Sequence, residues 1–470
     1  MKTAVVIGAG WAGLSCAVEL ADKGYRVTLL EQSKRLGGRA SSFKDEKTGD
    51  VIDNGQHLFM GCYTSTIDYL KKIGSLPQLM FQKDLSVDFA DKTAQIFTLK
   101  CGSWPAPLHL ASGLWGLKSL TLSDKLAMFK VYRAIQSPSS GHFNRNSPKG
   151  KTVEQWLMSL GQSERARRNF WDLITIATLN EQSSVAEAEP LAVVLKEAFF
   201  SDIEKSQIGI SSVGLSDLCG PKAEDYLKSR GGSVRLNTLA SKIVMDGDSV
   251  REIQLRDGAA LKADLYVSAM PFHTLRNVLD PAERDGAFFA PMKNLTNAPI
   301  FSVTLWFDRP ITDRQFVGLL DTETQWVFNK NKIYAGSSGR KDGSVTCVIS
   351  GAQKFLETSN EDLLKLCLSE LNACFPESRN ATLTHSLIQR EKNATLSPKV
   401  GYSKHRLPQR TPWRNLFLCG DWTDTGLPAT IESAVRSGVL AAEAADSAEA
   451  AEASAETAAQ TPETASNFIK

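Results

Sequence analysis

The chain of 470 residues is long enough for about three domain-sized units, which excludes a small disulfide-stabilised scaffold. Hydrophobic residues at 42% and charged residues at 23% are ordinary for a globular protein and exclude bulk disorder. A formal net charge of +2 provides no overall field that favours nucleic acid, so we expect no nucleic-acid partner.

The usage of cysteine and histidine bears on the compartment and on metals. The 8 cysteines include no Cys-x-x-Cys pair, and the 6 histidines have no metal-ligand spacing, so we predict a reducing compartment and no metal. The N-terminus runs directly into an apolar strand, without a signal-peptide pattern, and no apolar stretch of about 18 uncharged residues follows. These features predict a cytoplasmic protein whose contact with membranes is peripheral.

The first elements form a β-α-β unit. Thr3–Gly10 is an apolar run typical of a buried parallel strand, Leu14–Lys23 has helical spacing, and Tyr25–Glu31 is a second strand. The turn between the first strand and the helix has the G-x-G-x-x-G pattern, which lets a pyrophosphate approach a helix N-terminus. We therefore predict a dinucleotide site at Gly8, Gly10, Trp11, Ala12 and Gly13.

Two features, one at the end of this unit and one just after it, distinguish between NAD, NADP and FAD. Glu31 ends the second strand, where a carboxylate accepts hydrogen bonds from a ribose 2′-OH and repels a 2′-phosphate, which disfavours NADP. The segment Arg35-Leu-Gly-Gly-Arg39 allows a second close approach of backbone and adds a guanidinium that matches phosphate oxygens. An NAD dehydrogenase does not need this segment, so Gly38, Arg39 and Ala40 favour an extended FAD.

The middle of the chain has the composition of a separate lobe. Helical spacing dominates residues 63–205, with a Ser-, Pro- and Gly-rich stretch at Gln136–Lys151 that predicts a loop. Short strands return near Gly231. Further predicted elements are strands at Ile300–Phe307, Thr324–Asn329 and Ser344–Ser350 and a helix at Asn360–Cys374.

The C-terminal part returns to the pattern of the first unit. Asn415–Gly420 predicts a buried strand, and Ala429–Ala442 predicts a helix with Pro428 in its first turn. Beyond Ala445 the chain is almost entirely Ala, Glu, Ser and Thr without an apolar stripe, so we predict that residues 446–470 form a disordered tail.

The glycine turn, Glu31, the Arg35–Arg39 segment and Gly420-Asp421 together resemble the flavoprotein superfamily of amine oxidases and phytoene desaturases. The resemblance implies an α/β fold, with a Rossmann-like FAD-binding domain of that type and a discontinuous mixed α+β substrate-binding lobe. The FAD-binding domain would comprise residues 1–62, 206–270 and 400–445, and the lobe residues 63–205 and 271–399.

The same resemblance assigns further contacts to a non-covalent FAD. It places Gly420 and Asp421 at the ribityl and pyrophosphate portion, and the backbone of Ala240 at the adenine. It also directs the N-terminus of the last helix, with Pro428, Ala429 and Thr430, at the flavin, where a helix dipole would stabilise negative charge.

Five blocks sharpen the resemblance: Asp53–Tyr63, Trp104–Leu110, Phe170–Asn180, Arg390–Thr395 and Asp421–Glu432. Together they are similar to the hydroxysqualene dehydroxylases of bacterial hopanoid biosynthesis. This resemblance implies reductive removal of the allylic hydroxyl of hydroxysqualene to give squalene, with hydride from N5 of reduced flavin. It also implies a reductant that the sequence does not identify, and it allows contact with other enzymes of squalene synthesis.

Several side chains are candidates for the chemistry. We predict that His57 protonates the departing hydroxyl, because an imidazole titrates near neutrality and its block follows the Arg39 loop. The alternative is a histidine that only orders that loop. Tyr63, Trp171 and Trp326 could flank a cationic intermediate through their π faces, with ordinary core packing as the alternative.

The segment Ala106–Leu120 contains Leu114, Trp115, Leu117 and Lys118, as an amphipathic, interface-seeking segment would. We therefore predict peripheral binding to the inner face of the cytoplasmic membrane, with a core helix of the lobe as the alternative. Other functions stay open at this point: a desaturase of C30 or C40 polyenes that runs the flavin in the opposite direction, a flavin amine oxidase, and a non-enzymatic carrier of polyprenyl intermediates.

Overall fold

The structure is a computed structural model that describes residues 1–136, 147–334 and 342–460, with side chains described up to residue 451. The strands are, in chain order, β1 (Thr3–Ile7), β2 (Arg26–Leu30), β3 (Ser42–Lys44), β4 (Val51–Asp53), β5 (Phe59–Met60), β6 (Leu79–Phe81), β7 (Ser86–Ala90), β8 (Ile96–Lys100), β9 (Ile208–Ser211), β10 (Ser233–Arg235), β11 (Ala240–Asp246), β12 (Ser249–Leu255), β13 (Ala260–Leu261), β14 (Leu265–Ser268), β15 (Asn297–Phe307), β16 (Phe316–Leu319), β17 (Trp326–Asn329), β18 (Gly343–Ser350), β19 (Leu383–Leu396) and β20 (Leu416–Leu418). The α-helices are α1 (Trp11–Asp22), α2 (Thr64–Ile73), α3 (Leu108–Gly116), α4 (Leu122–Gln136), α5 (Val153–Ser159), α6 (Glu164–Ala166), α7 (Asp172–Leu179), α8 (Ala188–Phe199), α9 (Leu215–Cys219), α10 (Pro221–Ser229), α11 (Phe272–Val278), α12 (Pro281–Arg284), α13 (Lys330–Ile333), α14 (Asn360–Cys374) and α15 (Ile431–Gln460).

The predicted β-α-β unit forms the centre of a parallel sheet with the strand order β10-β2-β1-β14-β20. Helix α1 packs closely on the turn before it, because a Cβ atom at Gly13 would lie 1.8 Å from the carbonyl oxygen of Gly8. Helix α15 crosses α1 equally closely, since a Cβ at Gly438 would lie 2.1 Å from Oγ of Ser15. Both helices follow parallel strands, so their N-termini lie at the same edge of the sheet.

A second, mixed sheet with the strand order β19-β15-β18-β17-β16-β7-β8 forms the centre of the predicted lobe. Its long central strand β15 is antiparallel to both β19 and β18. One face of this sheet packs against α14 through Leu363 and Leu371. The predicted fold class is confirmed: a Rossmann-like, FAD-type parallel sheet combined with a discontinuous α+β lobe.

The chain passes into the lobe later than the predicted boundaries at residues 63 and 271. Tyr69 and Leu70 of α2 belong to the hydrophobic core on one side of the parallel sheet. Phe272 and Leu275 of α11 belong to the core on its other side. Both helices therefore pack with the parallel sheet. Residues 63–205 also contain β6, β7 and β8, which the helical spacing of this region does not reveal.

The last helix continues past the predicted end at Ala442. Residues 446–460 are helical where their composition predicts disorder, so the predicted tail is wrong for this stretch. Alanine favours helix, and two acidic side chains pair with lysines that flank β1 and α1: Glu449 with Lys2 and Asp446 with Lys23, each at 2.8 Å. Residues 461–470, and residues 137–146 of the predicted loop at 136–151, lie outside the described residues.

Candidate active site

A cavity of about 800 Å³ joins the carboxyl edge of the parallel sheet to the interior of the lobe. At the sheet, its wall contains the glycine turn after β1, Glu31 and the segment before β11. In the lobe, its wall consists largely of aliphatic and aromatic side chains. Because the two regions line the same cavity, a cofactor at the sheet edge would face a ligand in the lobe.

Two glycine loops face each other at the sheet edge. The N–H of Gly37 donates to the carbonyl of Ala9 at 2.9 Å, and a Cβ at Gly38 would lie 3.0 Å from Cα of Gly10. Gly10 is also the N-cap of α1 and has no side-chain cap, so the first N–H groups of the helix are open to an anion. This arrangement fits the pyrophosphate of a dinucleotide.

Glu31 lies where a ribose would complete the same site. Its carboxylate accepts hydrogen bonds from the N–H groups of Ala9 and Ser33, each at 2.9 Å. Most of the predicted residues of this region line the cavity: Gly8, Gly10, Trp11, Ala12, Glu31, Gly38, Arg39, Ala40 and Ala240. Gly13 does not line it and acts instead through the close packing of α1.

Arg39 connects three parts of the site. Its guanidinium donates to a carboxylate oxygen of Asp421 at 2.5 Å and to the carbonyl of Ala394 at 2.9 Å. The second glycine loop, which contains Gly37 and Gly38, is thus tied to the segment after β20 and to β19. The guanidinium also lines the cavity, and its predicted contact with phosphate stays a prediction.

The segment before α15 is held by a residue that the sequence did not single out. The buried guanidinium of Arg406 donates to the carbonyls of Leu427 at 2.6 Å and Asp421 at 2.9 Å. The predicted residues Gly420, Asp421, Pro428, Ala429 and Thr430 all line the cavity. The helix begins later than predicted, because Oγ1 of Thr430 accepts the N–H of Ser433 at 3.1 Å and caps it. Pro428 therefore precedes the cap and does not lie in the first turn.

Four of the five quoted sequence blocks contribute residues to the cavity wall, and the block Trp104–Leu110 does not. Asn180, at the end of α7, donates to Oγ1 of Thr395 at 2.9 Å and accepts the N–H of Gly351 at 2.7 Å. The carboxylate of Glu432 accepts the N–H groups of Ser65 and Thr66, each at 2.9 Å, and so caps α2. Several of these block residues therefore connect elements that are distant in sequence.

A buried polar cluster lies behind the cavity wall at the first block. Asp53 accepts hydrogen bonds from the hydroxyl of Tyr334 and, at 3.1 Å, from the N–H of Leu215, and Nζ of Lys330 lies 3.5 Å from its carboxylate. Nζ of Lys330 also donates to Oε1 of Gln56 at 2.7 Å. Sequence reasoning missed Lys330 and Tyr334, because nothing local marks two residues that contact Asp53 across 277 and 281 positions.

His57 lines the cavity beside this cluster. Burial lowers the pKa of its imidazole, Asp53 opposes that shift, and Arg39 adds to it. Neither ring nitrogen hydrogen-bonds to a residue within the described ranges. Burial therefore favours the neutral form of the imidazole, and the ring is available to a ligand.

The three aromatic candidates have different surroundings. Trp326 lines the cavity beside Phe89, at a ring distance of 6.3 Å, and Tyr63 lines it as well. Trp171 does not: it is 4% exposed within the helical core of the lobe, and its Nε1 donates to Oε1 of Gln162 at 3.0 Å. Both residues belong to the π-helical segment Arg167–Trp171 between α6 and α7, and the neighbouring Phe170 lines the cavity instead.

Two further properties concern metals and membranes. Within the described ranges, no group of three or more His, Cys, Asp or Glu side chains could hold a metal ion. No helix of the described chain is long and apolar enough to cross a membrane.

Comparisons with known proteins agree with this geometry. The family described as flavin containing amine oxidoreductase matches residues 11–445. The chain is 28% identical to hydroxysqualene dehydroxylase of Zymomonas mobilis, over 95% of this chain and 99% of that protein. It is 27% identical to 15-cis-phytoene desaturase of Glycine max, over 94% of this chain and 78% of that protein. The crystal structure of an oxidoreductase from Methanosarcina mazei superposes with a TM-score of 0.73 at 17% identity, over 94% of this chain and 100% of that chain.

Proposed function

The chain belongs to the flavin-containing amine oxidoreductase family and is an FAD-dependent oxidoreductase, and we propose that it reduces hydroxysqualene to squalene. The proposal takes the substrate class from the similarity to a hydroxysqualene dehydroxylase. The observation that carries it is the cavity itself, whose largely apolar wall in the lobe is continuous with the glycine loops at the edge of the parallel sheet.

The apolar wall suits a long hydrocarbon chain. Its lining side chains come from both the mixed sheet and the helices: Val87, Phe89, Phe97, Leu99, Phe170, Leu173, Ile174, Val194, Phe199, Trp326, Phe328 and Val348. Burial of hydrocarbon against such a wall stabilises the complex by about 25 cal/mol for each Å² removed from water. Gln56 and His57 are among the polar residues of the lining, and we place the hydroxyl of the substrate beside them.

The reaction requires a proton, a hydride and tolerance of positive charge. The glycine loops and the segment before α15 would hold FAD, which in its reduced form would be the source of the hydride. The C–O bond of the substrate breaks, a C–H bond forms at the same carbon, and the hydroxyl leaves as water after it has taken a proton. We assign that proton to the protonated form of the His57 imidazole, whose fraction grows as the pH falls. The π face of Trp326 stabilises the delocalised cation left by the hydroxyl.

A patch of exposed apolar side chains offers a route from a membrane into the cavity. The patch comprises Trp104, Leu108, Trp115, Leu122, Leu126 and Phe129, which are 56% to 69% exposed. Nζ of Lys125 in α4 donates to the carbonyl of Trp115 in α3 at 2.8 Å, so the two helices meet within the patch. The link between the helices contributes Leu117 and Ser119 to the cavity wall. An apolar surface with lysines beside it binds an anionic bilayer, and we place it on the inner face of the cytoplasmic membrane.

The structure changes which residues should test membrane binding. Leu117, predicted at the interface, is 3% exposed and faces the interior, so its substitution would damage the fold. We expect flotation with phosphatidylglycerol vesicles to recover the wild type and to lose the variant with Trp115→Asp and Phe129→Asp. The matched variant with Met80→Asp and Val400→Asp, which changes exposed apolar residues elsewhere, should float. Equal flotation of both variants would contradict a role for the patch.

The reaction is tested by product analysis with purified holoenzyme. Anaerobic, chemically reduced enzyme should convert hydroxysqualene to squalene, and oxidised enzyme should leave 15-cis-phytoene unchanged. Dehydrogenation of phytoene without reaction of hydroxysqualene would replace the proposal by a polyene desaturase. Bound FAD without turnover in either arm would favour a carrier.

A further inference from the structure

Gln56 presents a fixed amide to the apolar cavity. Its side chain lines the cavity, and its Oε1 accepts a hydrogen bond from Nζ of Lys330 at 2.7 Å. An ammonium group only donates, so this contact decides which end of the amide faces Lys330. The Nε2 group therefore lies on the other side of the amide, where no described residue accepts a hydrogen bond from it.

Lys330 uses all the hydrogen-bond donors of its ammonium group. It is 4% exposed, and its three N–H groups have acceptors in Gln56, in the hydroxyl of Tyr334 at 3.0 Å, and in the carboxylate of Asp53 at 3.5 Å. Asp53 and Tyr334 are in turn hydrogen-bonded to each other. A rotation of the Gln56 amide would turn its NH2 group toward the Lys330 ammonium and break a satisfied buried network.

The Nε2 group of Gln56, which has no acceptor among the described residues, affects which ligand the cavity favours. A polar group in an apolar wall costs free energy when a ligand that covers it offers no acceptor. A hydrocarbon offers none, whereas a hydroxylated chain brings an oxygen lone pair. The wall at Gln56 therefore distinguishes an oxygen-bearing isoprenoid from a hydrocarbon of the same length.

We propose that Nε2 of Gln56 donates a hydrogen bond to the hydroxyl oxygen of the substrate, and that Lys330 is the positioning residue that aims this donor. The inference rests on the proposed function, because it names the contact that selects a hydroxylated chain. It also separates two tasks of neighbouring residues: Gln56 holds the oxygen, and His57 protonates it.

The test is a binding measurement on oxidised holoenzyme, which has no reducing equivalents and cannot turn over hydroxysqualene. Dissociation constants for hydroxysqualene and squalene follow from the perturbation of the flavin spectrum. The wild type should prefer hydroxysqualene by about tenfold or more, a ratio equivalent to about 1.4 kcal/mol. Gln56→Met preserves the length of the side chain and should remove this preference while the affinity for squalene stays the same. Gln95→Met, at an exposed glutamine, is the matched control and should keep it.

Lys330→Met tests the positioning role, with FAD content and melting temperature as checks of folding. It should reduce the preference, and the double variant with Gln56→Met should show no further loss, because both changes act through one donor. If Lys330→Met does not fold, Tyr334→Phe removes one of the acceptors of the ammonium and should weaken the preference less than Gln56→Met.

Three results would overturn parts of this account, and they are distinguishable. An unchanged preference in Gln56→Met, with hydroxysqualene still converted by reduced wild type, refutes the inference alone. Additive losses in the double variant refute the positioning role of Lys330. Failure of reduced wild type to convert hydroxysqualene refutes the proposed function itself.

Discussion

Replacement of Gly10 by alanine should weaken FAD binding by about a hundredfold and leave the apoprotein intact. Gly10 has φ −74° and ψ 179°, a conformation that alanine adopts freely. The new Cβ would meet nothing closer than Cα of Gly38 at 3.8 Å and the carbonyl oxygen of Gly37 at 4.0 Å. The unfolding free energy of the apoprotein should stay the same or rise by about 0.4–1 kcal/mol, because alanine restricts the unfolded chain.

The expected loss can be stated as a free energy. At a free FAD concentration of 100 times Kd, bound cofactor stabilises the folded state by about 2.7 kcal/mol. A methyl group at the wall that the pyrophosphate must approach should raise Kd by about a hundredfold, which leaves about 0.4 kcal/mol at the same concentration. Thermal melts of apoprotein with increasing FAD measure this directly: Gly10→Ala should need about a hundredfold more FAD than the wild type for the same upward shift.

Gly13→Ala is the contrasting variant. Its Cβ would lie 1.8 Å from the carbonyl oxygen of Gly8 and 3.0 Å from Cβ of Ala269, so backbone must move. Apoprotein stability should fall by about 3 kcal/mol even without cofactor. Wild-type affinity for FAD in Gly10→Ala would refute the assignment of this turn to the pyrophosphate. Equal destabilisation of both apoproteins would refute the packing argument.

Three further predictions concern the tail, the cofactor linkage and the proton. Deletion of residues 446–470 should lower the unfolding free energy by about 1 kcal/mol, because it removes the ion pairs of Glu449 with Lys2 and of Asp446 with Lys23. A denaturant titration measures this change, and an unchanged midpoint would show that these contacts do not stabilise the fold. Denaturation should release FAD into the supernatant, and flavin retained in the pellet would contradict non-covalent binding. Burial lowers the pKa of His57 below its ordinary value of 6.5. Because the protonated imidazole is the proposed acid, the single-turnover rate should increase as the pH falls toward that lowered pKa. In His57→Gln this rise should vanish, and its persistence would assign the proton to another group.

The predictable parts of the fold are those that local sequence encodes. The glycine turn and its flanking strands follow from a buried apolar run and a G-x-G-x-x-G pattern, and the structure places them at the centre of the parallel sheet. Helix α14 has the bounds that its periodicity predicts. Strand β19 escaped prediction, because most of its residues are polar or half-buried and its order comes from long pairing with β15.

The candidate site was predictable where one segment carries the chemistry and not where distant segments share it. The residues that line the cavity near Gly8 and Gly420 belong to compact motifs. Lys330 lies in a short helix whose sequence indicates nothing, and only the fold brings it to Asp53 and Gln56. The sequence identifies Trp171 as an aromatic candidate in the lobe, but the fold buries Trp171 in the helical core and places its neighbour Phe170 in the cavity wall.

A stoichiometric single turnover tests the central claim most directly. Reduced holoenzyme is mixed anaerobically with excess hydroxysqualene, while the flavin absorbance is followed and squalene is quantified. The account predicts one squalene formed for each flavin reoxidised, since one hydride reduces one carbon. Flavin that stays reduced while hydroxysqualene remains, or flavin that reoxidises without squalene, would contradict it.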